Sequence, residues 1–313
     1  MAEVDEVLRR HAPIAADALD QVEAAAWSEG ERWGRIELVE LISVACAAQL
    51  GVPPLTPPER FRGRRRDGGD ADGPHPTDRL TGPDRTILDF AVQFSLDVSA
   101  VTDEQRSGLF EQLGEQVAGV AAVVFVMDFV PRARAALGAL IGGAHGIGPP
   151  GTSPAPDEVP IWDALGAFIR AVPQLDALDP ITSELVRLRG ARQHQCRLCQ
   201  SLRSRPALLA GADEETFAGA DEYERSDLSP LQKAALAFTD AMIWTPGQLE
   251  SSAVRLVELA SEEQRVELVL DVTRNALNKI AVALGADAAH VDEGIEIYDV
   301  DADGGLVYGL TLG

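Results

Sequence analysis

The sequence predicts an all-α protein built from two tandem helical domains. Apolar residues recur at helical spacing through most of its 313 residues. Strings of the first half return in the second at a nearly constant offset. Residues 142–156 (GGAHGIGPPGTSPAP) have the glycine and proline content of a linker. The chain therefore divides into residues 1–141, a linker over 142–156, and residues 157–313.

Residues 1–50 are alanine-rich, with apolar spacing through Val4, Leu8, Ile14, Leu19 and Val22 and then Leu38, Leu41 and Ala45, and they read as helices. Residues 51–79 carry prolines, glycines and a basic-then-acidic run, which predicts a mobile loop. The arginine run over 62–66 is either a small anion site or part of that loop, neutralised by the aspartates beside it, and the second reading is favoured. Helical patterning resumes over 85–94 and 104–113. The apolar segment 117–130 is long enough for a buried core helix but short of the ~20 residues of a membrane span.

Three matches define the repeat. Glu37-Leu38-Val39-x-Leu41 corresponds to Glu184-Leu185-Val186-x-Leu188. Leu80-Thr81 with Leu88-x-Phe90 corresponds to Leu228-Ser229 with Leu236-x-Phe238, and Ala136-Leu137-Gly138-Ala139 to Ala283-Leu284-Gly285-Ala286. All share an offset of 147 or 148 residues, which points to tandem duplication. Duplicated helical halves are expected to pack face to face about a pseudo-twofold axis. They are not equivalent in chemistry. Gln49 stands opposite Cys196 and Val52 opposite Cys199, so the first half reads as a degenerate scaffold, with Cys46 a buried small apolar residue.

A formal net charge of −23 argues against binding nucleic-acid backbone or an anionic membrane. The acidic N-terminus has no basic and apolar signal regions, and three cysteines without a disulfide framework suit a reducing compartment, so a cytoplasmic protein is expected.

The stretch 184–205 (ELVRLRGARQHQCRLCQSLRSR) holds the chemistry. Thr182 and Ser183, after Pro180, suit the start of a helix that carries Glu184, and the polar break at 192–195 permits a new helix near Cys196. Cysteines in a first helical turn feel its positive end, which favours thiolate. Arg197 and Arg203 add positive charge, and Arg203 falls one turn after Cys199 on the same face. Glu184 is either a relay acid of raised pKa or an ordinary first-turn glutamate. His194 is either a proton carrier or a surface loop residue, the second being favoured. Zinc would need two further ligands, and His145, His194 and His290 form no local pair. A thioredoxin-type site would need a strand before the motif. Two unrelated helix cysteines or a redox-active dithiol remain, and the dithiol is preferred.

Glu184, the Cys196-x-x-Cys199 pair twelve residues on, Leu228-Ser229-Pro230 with its following alanine-rich helix, Glu262-Glu263-Gln264-x-x-Glu267-Leu268 and Asn275-x-x-Asn278 together resemble the carboxymuconolactone decarboxylase and alkyl hydroperoxidase D-like (AhpD-like) superfamily. The resemblance covers about 180–290 and reaches the first half only through the repeat. It implies two AhpD-like helical domains, the second catalytic. In its peroxidase branch Cys199 would attack peroxide, Cys196 would resolve the disulfide and Glu184 would relay a proton, with no cofactor and no metal. It also implies peroxide or another small-molecule substrate, a thiol or lipoyl-type reductant protein, and a homo-oligomer, trimer or dimer. Two positions depart from the pattern. Arg203 and Leu198 stand where that branch has histidines, and arginine does not deprotonate at neutral pH. A cofactor-free dithiol oxidoreductase acting on peroxides or partner disulfides is the leading expectation. A lyase or isomerase that bypasses the thiols, or a non-catalytic scaffold, are the alternatives.

In the tail, Asp299-x-Asp301-x-Asp303-Gly304 copies half a calcium loop, but its twelfth position is Leu310 where a glutamate is needed. Alternation through Ile295, Ile297, Leu306, Tyr308 and Leu310 predicts a β-hairpin or an extended arm instead.

Overall fold

Helices make up 70% and strands 5% of the computed structural model, in keeping with the all-α reading. Residues 2–62, 80–142 and 159–312 are described. Most of the linker and of the arginine run therefore lies outside the described residues.

The first half contains α1 (Ala2–His11), α2 (Pro13–Arg32), α3 (Ile36–Leu50), α4 (Glu59–Arg62), α5 (Gly82–Leu96), α6 (Asp103–Leu113) and α7 (Val117–Ile141). The second contains α8 (Ile161–Ala171), α9 (Pro180–Gln193), α10 (Arg197–Ser201), α11 (Arg205–Leu209), α12 (Glu214–Ala218), α13 (Pro230–Trp244), α14 (Glu250–Leu259), α15 (Glu262–Asn275) and α16 (Asn278–Ala283). Capping boxes start several of them: Thr102 with Gln105 for α6, Ser229 with Gln232 for α13 and Ser261 with Gln264 for α15. At the end of α3, Gly51 takes the left-handed conformation that closes a helix.

Helix α7 is longer than the apolar pattern predicts, because it continues through Pro131 and Arg132 to Ile141. Pro131 removes one backbone donor. The helix persists because nearly every side chain from Val120 to Leu137 is buried, and packing outweighs the local penalty. Residues 103–141 are long and apolar enough to cross a membrane by length and composition, and 72% of the apolar window is buried inside the fold.

The halves pack in matching ways. Helix α3 lies against α5 and α7, and α9 lies against α13 and α15. Between the halves, α2 meets α8 and α7 meets α15. In the register of the sequence repeat α2 corresponds to α8 and α7 to α15, so these contacts join corresponding stretches. One buried apolar cluster runs through both, from Ile42 and Phe125 to Phe238 and Val269. A smaller one, of Leu185, Leu188, Phe217 and Leu236, seats α9 against α12 and α13.

The tail forms the expected hairpin. Strand β2 (Glu296–Val300) pairs antiparallel with β3 (Leu306–Leu310). It also pairs parallel with β1 (Leu202–Ser204), a short strand that the sequence pattern does not reveal. The turn fits glycine alone at Gly304, where φ is 80° and a Cβ would lie 2.0 Å from the Arg170 carbonyl oxygen. Asp301 Oδ1 accepts from the backbone of Asp303 and Gly305, so this aspartate string closes its own turn.

Candidate functional site

Helix α9 begins at Pro180, with Asp179 as its cap accepting from the N–H groups of Ile181 and Thr182. That start buries Glu184 one turn in. Its carboxylate is held by Arg187 through two hydrogen bonds of 2.6 and 2.8 Å, by the Tyr298 hydroxyl at 3.0 Å and by the Ser204 N–H at 3.0 Å. Arg187 in turn donates to the carbonyls of Cys199 at 2.8 Å and Leu202 at 2.9 Å. One buried ion pair thereby ties α9 to the cysteine turn, to β1 and to the C-terminal hairpin. Both oxygens of Glu184 are occupied, so a proton carried by Glu184 would have to break this network.

The chain leaves α9 through His194 and Gln195, whose φ of 54° makes a left-handed turn. Cys196 then caps α10, its Sγ accepting from the Cys199 N–H at 3.2 Å. Cys196 and Cys199 are joined by a disulfide, their Cα atoms 5.3 Å apart. Cys196 is buried and Cys199 half-buried. Asp287 closes the start of α10, accepting from the Arg197 N–H at 2.9 Å and pairing with its guanidinium at 2.7 Å. The helix has only five residues and a carboxylate at its N-terminus, so it offers the sulfurs less positive field than the sequence implies.

Two expectations need correction. Arg203 does not share a helix face with Cys199, because α10 ends at Ser201 and Arg203 lies on β1. Its guanidinium is committed to Glu214, with both bonds 2.8 Å, and to the carbonyls of Gln200 and Leu202. It also stacks over Phe217, 5.4 Å from the ring centre. His194 is not a surface loop residue but is buried at 3% exposure. Its Nδ1 meets Asn278 Oδ1 at 2.9 Å, its ring stands edge-to-face with Phe129, and its Nε2 is buried with no hydrogen-bond partner among the described residues. Burial, with the nearby Lys279 charge, pushes its pKa down to about 3, so the ring is neutral.

His194 borders a buried ionic cluster that sequence reading missed. Asp128 on α7 accepts from Arg132 at 2.8 and 3.0 Å and from Lys279 of α16. Arg132 also donates to the Ser95 carbonyl at 2.7 Å and to that of Ile243. Lys279 lies 4.5 Å from the Phe94 ring centre. All three ionic groups are at most 3% exposed. Burial alone would raise the Asp128 carboxyl, and Arg132 and Lys279 hold it below its ordinary value. Burial brings Lys279 down to about 8 and pushes the Cys46 thiol up to about 12. A signal was present: Arg132 and Lys279 are 147 residues apart, the offset of the repeat.

Beyond Glu184 opens a cleft of about 410 Å³ between α9, α15, the segment before α9 and the hairpin. Neither cysteine lines it. Glu267 and Asp271, one turn apart on α15, line it together with Arg274. Burial, reinforced by Asp271, pushes Glu267 up to about 7, and burial pushes Asp271 up to about 6.

No family model matches the chain, and no solved structure matches it. Two proteins of Mycobacterium tuberculosis do: "Uncharacterized protein MT2376" of strain CDC 1551 / Oshkosh and "Uncharacterized protein Rv2313c" of strain H37Rv. Each is 45% identical over 233 residues, covering 71% of this chain and 80% of the relative. At that identity and coverage, the chain belongs to one family with these two mycobacterial proteins.

Proposed function

We propose that the protein is a cofactor-free thiol–disulfide oxidoreductase of the AhpD-like kind, working through Cys196 and Cys199. The observation that carries the reading is the disulfide between them at the end of a helix bearing a buried glutamate, with Cys199 the more open sulfur. In the reduced form the Cys199 thiolate attacks a partner disulfide, giving a mixed disulfide and one partner thiolate. Cys196 then attacks Cys199 Sγ, the second partner sulfur leaves, and two electrons have passed to the partner. With a peroxide, Cys199 displaces the alkoxide, which leaves as the alcohol on taking a proton. The sulfenic acid so formed condenses with Cys196, releasing water. A thiol or lipoyl-type dithiol protein restores the pair by the reverse exchange. Glu184 and His194, the two candidate proton carriers, are both held in other contacts, Glu184 by Arg187 and His194 by Asn278. That favours exchange with a partner disulfide over rapid peroxide turnover.

The cytoplasm is the setting this chemistry fits, since Cys46 stays unpaired in the core and a resident reductant is required. Assembly as a homo-oligomer, trimer or dimer, belongs to the same reading. A lyase or isomerase that bypasses the thiols is favoured by one observation, the cleft beside Glu184 that contains neither cysteine. The two separate on one experiment. Reduced protein treated with peroxide or an oxidised dithiol should lose two alkylatable thiols and gain the Cys196–Cys199 bond by mass spectrometry. Cys199→Ser should abolish turnover. Unchanged turnover in that variant would overturn the dithiol reading.

A further inference from the structure

We infer that the cleft between α9, α15 and the C-terminal hairpin binds a small organic cation, an amine or diamine, on the Glu267–Asp271 pair. Asp271 is nine-tenths buried, yet its Oδ2 has no hydrogen-bond partner among the described residues. The Ser183 hydroxyl and the Arg274 charge lie beside Asp271 and favour its charged form, but neither reaches Oδ2, and a buried acceptor left unpaired costs on the order of 1–3 kcal/mol. Glu267 spends only Oε2, which accepts from the N–H groups of Ala177 and Leu178, and it lines the same space.

The charges around the pair decide the sign of the ligand. The lining carries six carboxylates and two guanidiniums. Arg187 is consumed by Glu184 and two carbonyls, and Arg274, whose Nε donates to the Ile169 carbonyl, offsets one charge at Asp271 and leaves Glu267 without a cation of its own among the lining residues. Asp299 faces Arg205, Asp301 is held in its turn, and Asp176 stands exposed at the rim. An anion would enter a field of surplus negative charge and leave Asp271 Oδ2 still without a donor. A metal ion would need more close ligands. Among the described residues, no three His, Cys, Asp or Glu side chains are grouped to hold one. The cleft's volume lies in the range of small-molecule pockets. An ammonium group would donate to Asp271 Oδ2 and Glu267 Oε1 and relieve the repulsion between the two carboxyls. It would take the place of the proton this pair retains near neutrality, so binding should tighten as pH rises.

The inference does not depend on the thiols. Calorimetric titration of the full chain with 1,4-diaminobutane at about pH 8 should give saturable binding, weakened severalfold at about pH 6. Asp271→Asn and Glu267→Gln, each checked by circular dichroism for an unchanged fold, should weaken it at least tenfold. Sodium butyrate should not bind, and Cys199→Ser should bind the diamine as the parent does. No saturation up to ~10 mM diamine, equal affinity in both carboxylate variants, or binding of butyrate instead would overturn it.

Discussion

Glu37 and Glu184 stand at the same register of the repeat and meet different fates. Glu37 is exposed at the start of α3. Glu184 is buried and receives four hydrogen bonds. The next turn supplies one reason, since Glu40 follows Glu37 where Arg187 follows Glu184. The chain after the helix supplies another. Helix α3 stops at Gly51, whereas α9 runs into the disulfide turn and then β1. The hairpin supplies the third, because Tyr298 closes over Glu184 from the tail of the chain. A helical scaffold becomes a candidate site through one arginine, one turn and one hairpin, with the helix itself scarcely altered.

The halves also meet where they are most alike. Arg132 and Lys279, related by the repeat, both pair with Asp128, while the counterpart of Asp128 is Asn275. One carboxylate therefore serves two cations. Asp128→Asn leaves both buried with no opposing charge and should cost about 3–5 kcal/mol in urea unfolding. A loss below about 1 kcal/mol would mean that the halves are held together by apolar packing alone.

The contrast between the two glutamates is tested by matched variants. Glu184→Gln strips the charge from a buried pair and should cost about 3 kcal/mol, because Glu184 is the carboxylate that pairs with Arg187 among the described residues. Glu37→Gln should fall within about 0.5 kcal/mol, as exposed changes do. Similar losses from both would show that Glu184 owes nothing to its surroundings.

Much of the scaffold was legible from apolar period and capping residues, which act over a few residues. The repeat showed which helices correspond, and the alternation around Asp303-Gly304 showed the hairpin. What stayed hidden depends on distant partners. Arg203 looked like a helical neighbour of Cys199 because nothing local shows that α10 ends after five residues to let β1 pair with β2. His194 looked exposed because its polar neighbours are, yet the burying groups, Phe129 and Asn278, lie far along the chain. Glu267 and Asp271 become the lining of a cleft only through the hairpin and the segment before α9, which lie far from them along the chain.

The gentlest test of the asymmetry between the halves is titration, since the counterpart of His194 is Ala47. In the unfolded chain the imidazole takes up a proton near 6.5, and in the folded protein it stays neutral until about 3. Between those values the unfolded state binds more protons, so this residue lowers stability as pH falls. Glu267 and Asp271 act in the opposite sense. Their folded carboxyls accept protons from about 7 and 6, ahead of the unfolded ones, and so stabilise on acidification. Comparing the parent with His194→Gln removes that shared background. From about pH 6 to pH 5 the parent should lose about 1.2 kcal/mol relative to the variant. Parallel curves would mean that His194 protonates in the folded state as readily as in the unfolded one, which would restore it as a proton carrier for the cysteines two and five residues away.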